Sequence, residues 1–186
     1  PVDITKMLSR NSSILEGLVA ETIKNVYNTY IKYKNRVDLF YVAFSGGKDS
    51  VAVLDIVQRA LPHDDFLVLF GDTQMESSDT YEVIEQTKKQ GEEKGIRFLA
   101  ASSKLEPGYT WDKIGPPAQK MRWCCSVHKT APQIIMLRKY MSNPHFRGMA
   151  MMGVRGDESI ARSKYDDVNL GTKHKGQYDY YPILRW

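Results

Sequence analysis

The sequence predicts an α/β fold, a doubly wound parallel sheet with an N-terminal helix, and two observations carry this prediction. Short continuous apolar runs, expected of strands that are buried on both faces, alternate with amphipathic stretches of helical period. This alternation is typical of a parallel sheet that is covered by helices on both sides. The chain has 186 residues, of which 42% are hydrophobic, as expected of one domain with a core.

The individual elements follow from the same pattern. The N-terminal helix is expected to begin at a capping pair formed by Ser13 and Glu16, and a later helix at Asp79 and Glu82. Proline and glycine make the stretch 102–119 irregular. The predicted helices are 13–34, 51–60, 79–90 and 131–141, and the predicted strands are 39–44, 66–70, 96–101 and 149–154.

Composition excludes several classes of protein. No window approaches the roughly 18 uninterrupted apolar residues of a membrane span, and the N-terminus lacks a secretory pattern, so we expect a cytoplasmic protein without a membrane partner. The only two cysteines are the adjacent Cys124 and Cys125. Neighbouring Cα atoms lie about 3.8 Å apart, less than the roughly 4.4–6.8 Å of a relaxed disulfide. These thiols are therefore expected to be free, transiently oxidised or bound to metal.

Positive charge is concentrated in one stretch. Of the 26 basic and 22 acidic residues, eight basic residues and no acidic one fall between positions 113 and 156. A segment of one sign indicates an anionic partner, whereas an ordinary solvated face would interleave acids. The eight residues are Lys113, Lys120, Arg122, Lys129, Arg138, Lys139, Arg147 and Arg155.

The strongest local signal is a glycine-containing loop between the first predicted strand and a helix. Its two glycines allow a sharp turn and a close backbone approach to phosphate oxygens, and the helix directs its positive N-terminal end at the same place. The spacing differs from that of the kinase and GTPase loop. The loop consists of Ser45, Gly46, Gly47, Lys48, Asp49 and Ser50, in which Asp49 is expected to cap the helix or to help hold Mg²⁺.

Two further groups follow later strands. Asp72 and Thr73 end the second strand, where ligands of open α/β sheets bind; the alternative is a plain turn. After the fourth strand, Arg155 and Arg162 flank Glu158. Guanidinium groups suit bidentate capture of phosphate or sulfate, and the alternative is a solvated helix start with routine ion pairs.

The cysteine pair has three interpretations. Cys124 and Cys125 are buried small hydrophobes, a reactive thiolate favoured by nearby Arg122 and Lys129, or two ligands of an iron–sulfur cluster. His128 adds a zinc possibility, but a structural zinc needs four N or S ligands.

As a set, these segments resemble a known family. The stretch 45–50 resembles the pyrophosphate loop (PP-loop) of the adenine nucleotide alpha-hydrolase superfamily, whose fold is Rossmann-like. Four other segments are similar to the phosphoadenosine phosphosulfate (PAPS) reductase family, most of all to its cysteine-pair, iron–sulfur-associated members. They are 71–76, 115–132 with the cysteine pair, 153–162, and the Tyr181-Pro182-Ile183 and Trp186 strand.

This resemblance implies sulfur chemistry that depends on an adenine nucleotide. Cys124, Cys125 and Lys48 are expected to be catalytic, and the loop with Asp72, Thr73, Arg155, Glu158 and Arg162 to bind ATP, PAPS or adenylyl sulfate with Mg²⁺. Asp49 is the candidate Mg²⁺ ligand. A 4Fe–4S cluster of the full-length protein would take Cys124 and Cys125 as two of its four ligands and the others from outside this chain.

The implied function has alternatives. A PAPS or adenylyl sulfate reductase is the first expectation, and an ATP-dependent sulfurtransferase acting on DNA or tRNA is the second. A non-catalytic nucleotide-binding module is the third. The partners would be the adenine nucleotide and, for the transferase, a nucleic acid or a sulfur-donor protein; the sequence does not indicate an oligomeric state.

The expected organisation has two parts. An N-terminal helical segment covers residues 1–36, and a PP-loop nucleotide-binding domain covers 37–186. The closing run from Tyr180 to Trp186 is apolar, so we expect the domain to continue beyond residue 186.

Overall fold

The structure is a computed structural model that describes residues 4–118, 121–171 and 174–186. Five α-helices are described: α1 Ile4–Tyr33, α2 Lys48–Ala60, α3 Ser78–Glu93, α4 Pro107–Ile114 and α5 Ala131–Met141. Six strands are described: β1 Leu39–Phe44, β2 Phe66–Asp72, β3 Arg97–Ser102, β4 Gly148–Met152, β5 Val168–Leu170 and β6 Gln177–Tyr180. A π-helical segment, Cys125–Thr130, precedes α5. None of the described helices is long and apolar enough to cross a membrane.

The six strands form one sheet in the order β3-β2-β1-β4-β6-β5, and every pair is parallel except β5 with β6. The predicted doubly wound α/β fold is therefore confirmed, with an antiparallel edge strand that was not predicted. The chain moves outward from β1 through β2 to β3 and then returns to place β4 on the other side of β1. This reversal is the switch point at which open α/β sheets bind ligands.

Side chains alternate between the two faces of the central strands, so the sheet has one hydrophobic core on each face. Phe40, Val42 and Phe44 of β1 belong to a cluster on the face that is covered by α1, α2 and α3. Tyr41, from the same strand, points to the opposite face and joins a smaller cluster with Leu137 of α5. Successive side chains of a strand face opposite sides, so a strand buried on both sides needs an unbroken apolar run, as β1 has.

The N-terminal helix differs from its prediction. It begins at Ile4 rather than at residue 13, so Ser13 lies inside the helix and the predicted cap with Glu16 is wrong. Its second half packs on the domain: Val26 is buried, and the Thr22 hydroxyl accepts a 3.0 Å hydrogen bond from Trp186 Nε1. The boundary between residues 36 and 37 stays a prediction.

Other boundaries moved for local reasons. The helix predicted from residue 51 begins at Lys48. The cap of α3 is Ser77, whose Oγ accepts from the backbone N–H of Thr80, and not Asp79 with Glu82. Within the stretch 102–118, predicted to be irregular, α4 begins with Pro107 in its first turn and ends before Gly115, which has φ +89°. Proline and glycine mark the two ends of this helix.

The C-terminal prediction is also corrected. The stretch from Tyr181 to Trp186, predicted to be a strand, forms turns that bury Ile183 and Leu184, while β6 ends at Tyr180. Strand β4 ends at Met152, two residues earlier than expected. β5 is only three residues long, and β6 has four residues of which Gln177 and Asp179 are polar, so neither shows the long apolar run that identified the other strands.

Candidate functional site

The predicted loop lies at the switch point, directly after β1. Gly47 caps α2 without a side-chain hydrogen bond. The Ser50 hydroxyl donates to the Gly47 carbonyl at 2.8 Å and accepts from the Ser45 backbone N–H at 3.3 Å. The buried Ser50 hydroxyl therefore connects the two ends of the loop and stabilises its conformation.

The two loop glycines have different reasons to be glycine. Gly46 has φ +76°, and a Cβ there would lie 2.9 Å from Thr80 Cγ2 of α3, so the fold itself requires glycine. Gly47 has φ −78° and ψ 157°, and a Cβ there would meet only Ser45 Oγ at 3.6 Å. The fold tolerates a larger residue at position 47, where the remaining reason for glycine is what approaches from outside.

Gly153, just after β4, holds the loop in place and was not assigned to the site by sequence reasoning. A Cβ on it would lie 2.6 Å from the carbonyl carbon of Asp49 and 2.8 Å from the backbone N of Ser50. The end of β4 thus packs directly on the first turn of α2. Its position at the start of the stretch 153–162 was the available signal.

The same contact brings Arg155 to the loop. Arg155 Nε lies 3.5 Å from Asp49 Oδ1, and Nη1 lies 3.6 Å from Asp157 Oδ2. The Nε atom is buried and forms no hydrogen bond, because the contact with Asp49 is within ion-pair range but outside hydrogen-bond geometry. Two long ion pairs leave the guanidinium with unused donors.

Glu158 and Arg162 have a supporting arrangement. The Glu158 carboxylate accepts from the backbone N–H of Arg155 at 3.4 Å and pairs with the Arg162 guanidinium. The Arg162 backbone N–H donates to Ser159 Oγ. Glu158 thus holds the backbone that carries Arg155.

Asp49 lies between two cations, since Lys48 Nζ is 3.2 Å from the carboxylate that Arg155 also approaches. The Lys48 side chain itself is 75% exposed. The described residues contain no group of three or more His, Cys, Asp or Glu that suits a metal ion. A Mg²⁺ at Asp49 would therefore need most of its oxygen ligands from a nucleotide and water.

Asp72 and Thr73 end the adjacent strand β2 at the same edge. Asp72 Oδ1 accepts from the Gln74 backbone N–H and from the Tyr81 hydroxyl, each at 2.8 Å. Burial, and then the hydrogen bond to Asp72, raises the pKa of Tyr81. Thr73 Oγ1 donates to Glu76 at 2.9 Å. One oxygen of Asp72 thus shapes a turn in which Gln74 has φ +63°, a conformation that glycine adopts more readily.

The cysteine pair begins the π-helical segment, with Cys124 half-buried and Cys125 exposed. The fully buried His128 lies 2.9 Å from Thr110 Oγ1 of α4 through Nε2. The Thr110 hydroxyl donates its hydrogen to the Pro107 carbonyl, so it can only accept from His128. Nε2 is therefore the protonated nitrogen of the His128 ring. His128 Nδ1 and Trp123 Nε1 are buried without partners. The zinc interpretation has no support in the described part of the chain.

One cavity of about 300 Å³ lies between the loop edge and the end of the π-helical segment, and neither cysteine is among its lining residues. Ser45, Ser50 and Gly153 line it from the loop edge, and Lys129 and Thr130 line it from the end of the π-helical segment. A separate cavity of about 360 Å³, between α1, α5 and the starts of β1 and β2, shares no residue with the loop. Only the first has the chemistry of the predicted site.

Asp179 of β6 lines the same cavity and was missed by sequence reasoning. Burial raises the pKa of its carboxyl, partly offset by a hydrogen bond that Gln177 Nε2 donates to Oδ1 at 2.6 Å. An acidic residue within the run from Tyr178 to Tyr181 was the available signal, because a carboxylate between apolar neighbours of a strand is seldom buried without a role.

The basic stretch 113–156 is divided by the fold. Lys129 and Arg155 lie at the loop edge, whereas Arg138 and Arg147 line a cavity at the opposite edge. Lys113 stacks over Tyr109, and Lys120 lies outside the described residues. The charges therefore do not form one surface.

The sheet order and the glycine loop at its switch point define the adenine nucleotide alpha-hydrolase fold. Residues 40–186 match the profile described as the phosphoadenosine phosphosulfate reductase domain. The chain belongs to this family, as its motifs predicted.

Related sequences extend over almost the whole chain. An uncharacterized protein of Methanocaldococcus jannaschii is 30% identical over 97% of this chain and 35% of its own length, and a second is 29% identical over 98% and 42%. The adenosine 5'-phosphosulfate reductase of Halalkalibacterium halodurans is 25% identical over 99% of this chain and 70% of its own length. The chain thus spans less than half of the first two relatives.

Solved structures with the same fold include two sulfur-related enzymes. The PAPS reductase of Candida auris, a phosphate complex, has a TM-score of 0.58 at 13% identity and covers 90% of this chain and 79% of its own. The U34-tRNA thiolase of Methanococcus maripaludis, with its [4Fe-4S] cluster, has a TM-score of 0.56 at 16% identity, with coverages of 90% and 59%. At these identities the likeness concerns the fold.

The partly buried Asp179 makes the free energy of unfolding depend on pH. Burial raises the pKa of the folded Asp179 carboxyl above its ordinary value of 3.8, so ionisation opposes folding. The stability that the protonated carboxyl provides is present below the unfolded pKa and is lost as the pH rises through the folded pKa. Asp179→Asn keeps the oxygen that accepts from Gln177 and removes the charge. We expect the variant to unfold like the parent near pH 3.5 and at a higher temperature than the parent at pH 7.

Thermal unfolding at several pH values checks this expectation, with Asp112→Asn, an exposed position on α4, as the matched control. The control should follow the parent at every pH. A difference between Asp179→Asn and the parent that is independent of pH would contradict the assigned cause.

Proposed function

We propose that this chain binds the phosphates of an adenine nucleotide on residues 45–50 and supports sulfur chemistry of the PAPS or adenylyl sulfate reductase type. The observation that carries the proposal is the shared cavity, in which the loop and the end of the cysteine-bearing segment face the same space. This chemistry needs a nucleotide and a thiol, and Lys129, which lines the cavity, follows Cys125 by four residues.

Phosphate binding rests on three features of the loop. The first N–H groups of α2 have no acceptor within the helix, and they lie at its positive end. Lys48 offers an exposed ammonium group beside them. Arg155 adds a guanidinium whose present ion pairs, at 3.5 and 3.6 Å, are longer than the roughly 2.7–2.9 Å of strong charge-assisted bonds.

For a sulfonucleotide the sulfur step would be a displacement. A cysteine thiolate attacks the sulfonate sulfur, an S–S bond forms, and the S–O bond to the nucleotide phosphate breaks, which releases AMP or its 3'-phosphorylated form. A thiolate of an external dithiol then attacks the cysteine sulfur and releases sulfite, and the second thiol of that dithiol frees the enzyme by exchange. Cys125 is the exposed candidate. Its neighbour is poorly placed to replace the dithiol, since adjacent cysteines are too close for a relaxed disulfide.

The residues of this chain do not complete a four-iron cluster. Such a cluster takes four thiolates, and the sequence contains two cysteines. In a four-iron cluster Cys124 and Cys125 would be two of the ligands, and another chain or segment would supply the others.

The second candidate is an ATP-dependent sulfurtransferase, in which ATP adenylylates an oxygen of a nucleic acid before sulfur replaces it. The same cavity would serve this reaction, and the basic residues outside the loop edge favour a polyanionic substrate. The two reactions release different products, sulfite for the reductase and pyrophosphate with AMP for the transferase.

Gly47→Val tests the nucleotide site without disturbing the fold. The extended backbone at position 47 accepts valine, and only Ser45 Oγ is near. A side chain there would keep phosphate oxygens from the loop N–H groups, so we expect an affinity for ATP and for adenylyl sulfate at least about tenfold weaker. The unfolding temperature should fall only modestly, because valine is a poorer helix N-cap than glycine. Calorimetry measures both ligands; equal affinity in both proteins excludes this loop as the site.

Arg155→Lys tests the guanidinium clamp. Lysine keeps the charge but loses the planar fork that makes two parallel bonds, and a charge-assisted contact contributes on the order of 1.5–3 kcal/mol. We expect roughly tenfold or weaker nucleotide affinity at one fixed salt concentration. The control is Arg59→Lys, an exposed arginine paired with Asp55 on α2, which should bind like the parent. Parent-like binding by Arg155→Lys would assign this arginine to the surface.

Product analysis tests the reaction itself. The chain is incubated with adenylyl sulfate or PAPS and dithiothreitol, and separately with ATP and RNA or DNA under a sulfur source. Sulfite that depends on the sulfonucleotide and is lost in Cys125→Ser supports the reductase, and pyrophosphate with sulfur-bearing nucleic acid supports the transferase. Nucleotide binding without either product would favour the non-catalytic module.

A further inference from the structure

A second charged cavity, open to solvent, lies at the amino edge of the sheet, where β4 and β6 begin; Arg138, Arg147 and Lys175 are exposed there and only His174 is buried. Its volume is about 360 Å³, and it is lined by Arg138, His145, Arg147, His174, Lys175 and Gly176. None of these residues is acidic. They come from the last turn of α5, the segment before β4 and the turn before β6, so one helix end does not account for their convergence.

Within the part of the chain that the structure describes, Arg147 is the one cation of this cavity with a carboxylate partner. Arg147 Nη2 lies 2.9 Å from Asp38 Oδ1, and the Arg147 backbone N–H donates to Asp38 Oδ2 at 2.8 Å. These hydrogen bonds lower the pKa of Asp38, which keeps it ionised at neutral pH. Asp38 therefore offsets the charge of Arg147.

Arg138 is held by a neutral ring. His174 is buried and stacks on Phe146 with ring centroids 4.7 Å apart. Its Nε2 lies 3.0 Å from the Phe146 carbonyl, which only accepts, so Nε2 carries the proton. Nδ1 is then the acceptor for Arg138 Nη2 at 3.3 Å. This bond positions the guanidinium without neutralising it.

Two full positive charges consequently remain in the cavity. Among the ion pairs of the described residues, none includes Arg138 or Lys175. Like charges that converge in a concave site repel each other and raise the local concentration of anions. The turn that carries Lys175 packs closely against Arg147. Gly176 has φ +90°, and a Cβ there would lie 3.3 Å from Arg147 Cγ.

The site is separate from the loop. The five residues of β4, at about 3.3 Å per residue, place the two edges roughly 16 Å apart across the sheet. The two cavities share no lining residue. A nucleotide whose phosphates lie on residues 45–50 would not occupy the amino edge as well.

We propose that this cavity binds the phosphate monoester group of a second ligand. A phosphate monoester carries about −1.5 to −2 charges at pH 7, which matches the two unpaired cations, whereas a diester or a carboxylate carries one. Arginine offers paired donors to phosphate oxygens and lysine a point charge. The phosphate belongs either to a small metabolite or to the phosphorylated end of a nucleic acid.

The experiment uses the His145 ring as a local reporter. His145 lines the cavity, and the chain has four histidines, so its ring resonance is assigned with His145→Gln. Inorganic phosphate is titrated at constant ionic strength and followed by NMR. We expect a saturable shift of the His145 resonance, with affinity about tenfold or more weaker in Arg138→Gln with Lys175→Gln. Phosphate on the loop would not move this resonance.

Two further variants keep the test decisive. Lys175→Gln alone should weaken binding and removes no hydrogen bond that the described residues show, and Lys139→Gln, one residue after Arg138 but outside the cavity lining, should bind like the parent. A linear drift without saturation, or equal affinity in the parent and Lys175→Gln, overturns the proposal.

The source of the phosphate is identified with oligonucleotides. Competition by a 5'-phosphorylated oligonucleotide that exceeds that of phosphate supports a nucleic-acid end, and competition equal to or below that of phosphate supports a small metabolite. If the same oligonucleotide without its terminal phosphate competes equally well, the cavity recognises diesters and the monoester assignment is wrong.

Discussion

The contact between Gly153 and the first turn of α2 is the constraint on which the candidate site depends. Only a hydrogen fits at this position, because a Cβ would lie 2.6 Å from the backbone of Asp49. The parallel pairing of β4 with β1, with Ala43 opposite Met152, brings the two strand ends level. The contact then fixes the distance between the residues that follow β1 and those that follow β4, and Arg155 reaches Asp49 as a consequence.

Electrostatics at the loop follow from that geometry. Asp49 is approached by Lys48 and by Arg155, so in the absence of an anion the two cations share one carboxylate. In the proposed nucleotide site an incoming phosphate would compete with Asp49 for both cations, so that Lys48 and Arg155 would keep an anionic partner when they turn towards the ligand. Asp49 would then be freed beside the phosphates, which is the position from which a carboxylate holds Mg²⁺ in nucleotide sites.

The sequence predicted the parts of the fold that are encoded locally. The apolar runs of β1 and β2 and the glycines after β1 are contiguous signals, and the structure places the loop directly after β1, between a strand and a helix as expected. The start of α1 was missed because Ser13 and Glu16 matched a capping pair, although Met7 and Leu8 continue the helical spacing before them and are exposed. β6 was missed because its polar residues are buried by partners far away in the chain, and Asp179 was missed with it. The role of Gly153 could not be recognised from its neighbours in the sequence. Glycine is required there by a contact with Asp49, which lies 104 positions earlier in the chain.

The two edges of the sheet need different means to bind an anion. In a parallel α/β sheet the N-termini of the helices meet the carboxyl edge, where free N–H groups and the positive ends of the dipoles already attract negative charge. A glycine loop with two cations is sufficient there. The amino edge receives the helix C-termini, whose carbonyl ends repel anions, and here the chain also carries Asp38, Asp64 and Asp65. An anion site at this edge therefore has to be built from side chains alone. Arg138, Arg147 and Lys175 come to the proposed site from three separate segments. A buried neutral imidazole holds Arg138 in place, whereas a carboxylate would cancel its charge.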